Sequence, residues 1–101
     1  MTRPTLVARC YDKRGTLIAS ATNSYTKTHP LMLHFGRKVG VVNRPFLHAE
    51  VAALLKCGTK HPYAISIERR TRDGKTALAK PCSICEQAIK AWGVQRVSYT
   101  V

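Results

Sequence analysis

Apolar and polar positions along this chain fall into short blocks whose period changes several times. From Thr5 to Tyr11, a run containing Leu6, Val7, Ala8 and Cys10 reads as a strand. Asp12-Lys13-Arg14-Gly15 reads as a turn, with Gly15 free to take positive φ, and Thr16 to Thr22 reads as a second strand closing a hairpin. A long connection follows from Asn23 to Leu47, within which Pro30 to Lys38 has roughly helical spacing at Leu31, Leu33 or His34, and Phe35. Gly36, Gly40 and Pro45 then break that pattern. His48 to Cys57 reads as a helix with Val51, Leu54 and Leu55 on one face, ended by Gly58. Tyr63 to Arg69 reads as a strand, Arg72-Asp73-Gly74-Lys75 as a turn, and Cys82 to about Trp92 as a helix introduced by Pro81 and ended by Gly93. Gln95 to Val101 alternates Val97, Tyr99 and Val101, as a final strand does. The order β-β-α-β-α-β predicts a layered α/β sheet, of two or three layers, with parallel crossovers after the hairpin.

Length changes this picture little: 101 residues suit one domain, 1–101, with one modest core. No apolar run approaches the ~20 residues needed to span a bilayer. Met1-Thr2-Arg3-Pro4 carries no apolar leader, so the expectation is a cytoplasmic protein with no membrane partner. Charge changes the picture more. Lys and Arg number 17 against 5 Asp and Glu, a net +12, with the densest group at Arg69, Arg70, Arg72 and Lys75. Such a group is either a solvated basic turn or a surface for a polyanion or a nucleotide phosphate.

Four cysteines are present, and Cys82 and Cys85 form a C-x-x-C pair. With no export signal, such a pair points to a metal or redox site rather than a disulfide. Cys10 and Cys57 read as small buried hydrophobes. Cys82 and Cys85 lie three apart in the first turn of a helix, so they share a face, and the helix dipole favours their thiolates. If the helix starting at His48 points its N-terminus at the same spot, His48, Cys82 and Cys85 bind one zinc ion. Three protein ligands leave a fourth position for water, the pattern of catalytic rather than structural zinc. Glu50, two residues after His48, would stand beside the metal with a carboxylate suited to proton transfer. A structural zinc knuckle would need a fourth protein ligand; His29, His34 and His61 are available, but none has a spacing that pairs it with His48.

His48-Ala49-Glu50 followed by Pro81-Cys82-Ser83-Ile84-Cys85 resembles the signature of the cytidine and deoxycytidylate deaminase superfamily. The resemblance covers most of the chain. It implies a cytidine deaminase-like three-layer α/β/α core, truncated after the fourth strand, which Val97-Ser98-Tyr99-Thr100 matches. It implies zinc (Zn2+) held by His48, Cys82 and Cys85, with Glu50 as proton shuttle. It also implies substrate contacts from the Asn23 side chain, the Ala49 backbone N–H and the Lys80 carbonyl; Tyr25, close to Asn23, is a candidate for stacking on a base. The activity implied is hydrolytic deamination of a cytosine nucleoside or nucleotide. Alternatives are editing of cytosine or adenine within RNA or DNA, which the charge favours, and a non-catalytic zinc-containing nucleic-acid-binding protein, against which Glu50 argues. Family members often continue with another helix and strand, so a homo-oligomer that covers the final strand is expected.

Overall fold

A computed structural model describes residues 5–24, 27–40, 47–71 and 73–101. Its elements are β1 (Thr5–Tyr11), β2 (Leu17–Thr22), α1 (Pro30–Lys38), α2 (Ala49–Lys56), β3 (Ala64–Arg70), β4 (Thr76–Ala77), α3 (Ser83–Ala91) and β5 (Arg96–Tyr99). The framework β-β-α-β-α-β is present, with α1 and β4 added to it. The hairpin forms where Gly15 takes φ 84°, which a residue with a Cβ rarely adopts.

The sheet is mixed. β1 pairs antiparallel with β2 on one side and with β3 on the other. The far edge of β3 is shared: β5 runs parallel along Ala64 to Ile67, and β4 runs antiparallel beside Arg69 and Arg70. α3 is therefore the crossover between the parallel strands, and its N-terminus lies at the C-terminal end of β3.

Strand alternation decides which face is covered. Ala8 and Cys10 on β1 pair with Ile67 and Ile65 on β3, and these four are at most 1% exposed. They join Met32 and Phe35 of α1, Val51 and Leu54 of α2, and Ile84 and Ala88 of α3 in one core. The opposite face carries Arg9, Ser20, Ser66, Glu68 and Ser98, and Arg9 sits 3.6 Å from Glu68 there. The expected three-layer α/β/α core thus has two of its layers among the described residues. The buried apolar residues of β1, β2 and β3 lie on one side of the sheet, and the three helices pack on that side.

Candidate metal centre

Two helix starts build the site, and neither is capped in the ordinary way. His48 is the N-cap of α2 in extended conformation, and Cys82 is the N-cap of α3, also extended. Ser, Thr, Asp or Asn normally fills this position and caps the helix with its side chain. Neither His48 nor Cys82 makes a side-chain cap bond. Their side chains meet instead. His48 Nδ1 lies 3.3 Å from Cys85 Sγ and 3.5 Å from Cys82 Sγ. The three potential ligand atoms all fall within 4.8 Å of one another.

This donor set fits zinc. Bonds of about 2.0–2.1 Å to nitrogen and 2.3 Å to sulfur in a tetrahedron put N and S roughly 3.5 Å apart. No further Cys, His, Asp or Glu joins the cluster among the described residues. The other histidines that could supply a fourth ligand are occupied elsewhere or exposed. His29 Nδ1 accepts from Leu31 N at 3.1 Å and so caps α1, His34 packs edge-on against Phe35, and His61 is exposed.

The protonation pattern suits a dication. A hydrogen bond from Cys85 holds the Cys82 thiol down to about 3, with His48 acting in the same direction against burial. Cys85 is pushed up by that same bond, then by burial and the Glu50 carboxylate. The pair therefore holds one negative charge readily and a second one only with help, which a bound cation would supply. Both thiols sit at helix N-termini, whose partial positive charge favours thiolate.

Glu50 is 4% exposed, the one buried charged side chain among the described residues. Burial raises its pKa, partly offset by its own backbone N–H and by His48, and its carboxylate also hydrogen-bonds Cys85. A buried carboxylate beside this cluster, but outside its donor set, holds a proton more readily than an exposed one and is placed to exchange it.

The remaining residues singled out in the sequence are placed as follows. Ala49 is the first residue of α2 and fully buried, so its N–H is among the helix donors with no intrahelical acceptor. Asn23 is half-buried beyond the end of β2. Its Oδ1 accepts from Leu6 N at 2.9 Å while its own N donates to Leu6 O at 3.1 Å, and next to it Ser24 N donates to Leu47 O. Ser24 thus ties the chain to the segment that leads into His48, and Asn23 fastens the start of β1. Lys80 is exposed in the loop before Pro81 and Cys82. Tyr25 lies outside the described residues. Cys10 and Cys57 are buried away from the cluster; burial pushes Cys10 up to about 12, and Cys57 Sγ donates to Ala53 O at 3.4 Å. Arg69 ends the strand read from the sequence and also falls in the basic group; the burial of its side-chain Nε depends on strand register and leaves no local pattern.

Fold and site together define a zinc-site α/β protein with a His, Cys, Cys donor set at two converging helix N-termini. The family model of the cytidine and deoxycytidylate deaminase zinc-binding region matches residues 2–101, and the chain belongs to that family. No curated protein and no solved structure matches it.

Proposed function

We propose that residues 1–101 form a single catalytic domain that hydrolyses the exocyclic amino group of a cytosine nucleoside or nucleotide. Water and the aminopyrimidine yield the corresponding carbonyl compound and ammonia. The observation that carries the reading is the buried Glu50 carboxylate packed against the His48, Cys82 and Cys85 cluster. A purely structural zinc site has no use for a buried carboxylate there.

Bound zinc would supply the Lewis acidity that makes water a nucleophile near neutral pH. Glu50 takes one proton from the attacking water and delivers it to the ring nitrogen. It then takes the remaining proton of the added hydroxyl and delivers it to the amino group, which leaves as ammonia. The Ala49 N–H contacts the base, the Lys80 carbonyl faces the departing amine, and the Asn23 amide nitrogen contacts the substrate. Tyr25 stacks on the base. The enzyme works in the cytoplasm as a homo-oligomer. A second reading, editing of cytosine or adenine within RNA or DNA, is favoured by the net charge of +12.

Ammonia release from zinc-loaded protein, given cytosine and adenine nucleosides, nucleotides and oligonucleotides, tests the reading. Turnover of cytosine monomers is expected. Turnover of oligonucleotides alone would put the second reading in its place, and no release from any substrate would overturn both.

A further inference from the structure

The basic group between residues 69 and 75 does not behave as one patch. Arg70 Nη2 lies 2.8 Å from Glu68 and its Nη1 donates to Gly74 O at 3.2 Å. Lys75 sits 3.9 Å from Asp73, and both are exposed. Arg69 is different. It follows Ile65 and Ile67 on the helix-covered side of β3, and its Nε is buried with no acceptor. Among the described residues, no other buried side-chain nitrogen or oxygen lacks a partner, and Arg69 has no ion pair. A guanidinium N–H buried without an acceptor is costly to fold.

Its position gives that cost a use. Arg69 is the penultimate residue of β3, at the end of the sheet where α3 begins with Cys82. On one side it pairs with Leu6, whose N–H and C=O are both bonded to Asn23; Asn23 leads to Ser24, and Ser24 is bonded to Leu47, next to His48. On the other side it pairs with Ala77, and its own N–H donates to Thr100 Oγ1 at 3.1 Å. Thr100 O in turn holds Ala79, three residues before Cys82. Arg69 is bracketed by the two segments that deliver the metal ligands. Ligands of open α/β sheets bind at this carboxyl end of the strands.

We propose that Arg69 recognises a phosphate ester of the substrate, pairing its Nε–H and a terminal N–H with two phosphate oxygens. The planar fork of a guanidinium matches that geometry. This rests on the deaminase reading and sharpens it: the substrate is phosphorylated, as a nucleotide or within a polynucleotide, and a neutral nucleoside leaves Arg69 unpaired.

The test uses zinc-loaded protein labelled with 15N-arginine, in which the Nε–H signal of Arg69 is assigned by its absence in Arg69→Gln. Cytidine monophosphate or a short cytosine-containing oligonucleotide should shift that signal, and cytidine should not. Whichever of the two shifts it at the lower concentration identifies the phosphate source. In turnover, Arg69→Gln should lower kcat/KM for the phosphorylated substrate relative to cytidine by ~10- to 100-fold, the size expected for losing a charge-assisted hydrogen bond. The loss should fall mainly on KM, and Arg69→Lys should recover part of it. An Nε–H signal unmoved by both phosphorylated ligands would overturn the proposal, as would equal losses for cytidine and its monophosphate. The spectroscopic arm decides even if Arg69→Gln fails to fold, since other arginine substitutions assign the remaining signals by elimination. Absence of ammonia release with every substrate, beside a shifted Nε–H, would count against the deaminase reading and leave phosphate recognition standing.

Discussion

Burial takes the Glu50 carboxylate out of water and raises its pKa. Its pKa in the folded chain is raised above 4.5, so the folded state binds the proton more tightly than the unfolded state. The stability that its protonated form contributes is present below pH 4.5 and is lost as pH rises through the folded pKa. Above that point an ionised carboxylate is held in the core. Glu50→Gln, which keeps shape and hydrogen bonding without charge, should therefore raise the melting temperature of chelator-stripped protein at neutral pH, and the gain should shrink toward pH 4. Scanning calorimetry at several pH values checks this; a lower melting temperature for Glu50→Gln at pH 7 would contradict it. The ligands should behave oppositely. Cys82→Ala or Cys85→Ala should lose zinc and destabilise the protein as prepared, because metal binding is coupled to folding. Elemental analysis and thermal melting report both effects, and a Cys85→Ala variant with full zinc content would remove the ligand assignment.

At the scale of elements, Asn23 has a structural task separable from any substrate contact. Its Oδ1 satisfies Leu6 N near the start of β1. Asn23→Ala should cost about 1 kcal/mol of stability, the usual net value of one hydrogen bond, with zinc retained; urea denaturation measures it, and an unchanged midpoint would show that the bond contributes nothing. The helices were legible in the sequence because their signals are local: the apolar face of Val51 and Leu54, Gly58 after α2, and Gly93 after α3. The metal site was legible for the same reason, since His48 and Glu50 lie within one turn and so do Cys82 and Cys85. β4 was not legible. Two residues, Thr76 and Ala77, pair with Arg69 and Arg70, and Ala77 O is held by Thr100 Oγ1 from 23 residues away. Such long-range pairing leaves no local pattern. The orphaned Arg69 Nε was hidden for the same reason, while the single covered sheet face was written in the polar positions Arg9, Ser66 and Glu68.

For the molecule as a whole, the proposed self-association is expected at the outer edge of β5. Among the described residues β5 pairs only with β3, and Val97 and Tyr99 are 43% and 39% exposed on the helix-covered side. A second copy pairing antiparallel about Ser98 would set Val97 against Tyr99 of the partner subunit, a favourable aromatic and β-branched pair. It would set Arg96 against Thr100 of the partner subunit, with no like charges opposed. The area is small beside the roughly 800 Å² per partner of a standard interface, and +12 on each copy is repulsive. The dimer should therefore be weak, should strengthen as salt screens the charge, and should be abolished by Tyr99→Lys. Sedimentation velocity across protein and salt concentrations checks this; a monomer at high protein and high salt would contradict it.

Zinc is expected on His48, Cys82 and Cys85, with Glu50 moving protons beside it. The most direct test compares zinc content, melting temperature and ammonia release between the native protein and Glu50→Ala, on the substrate that the native protein turns over. General acid–base catalysis contributes ~100- to 10,000-fold, and a residue serving two transfers belongs at or beyond the upper end. About one zinc per chain and folded melting behaviour are expected in both proteins, with deamination lost in Glu50→Ala. A Glu50→Ala protein that keeps its zinc and fold but turns over within tenfold of native would contradict this.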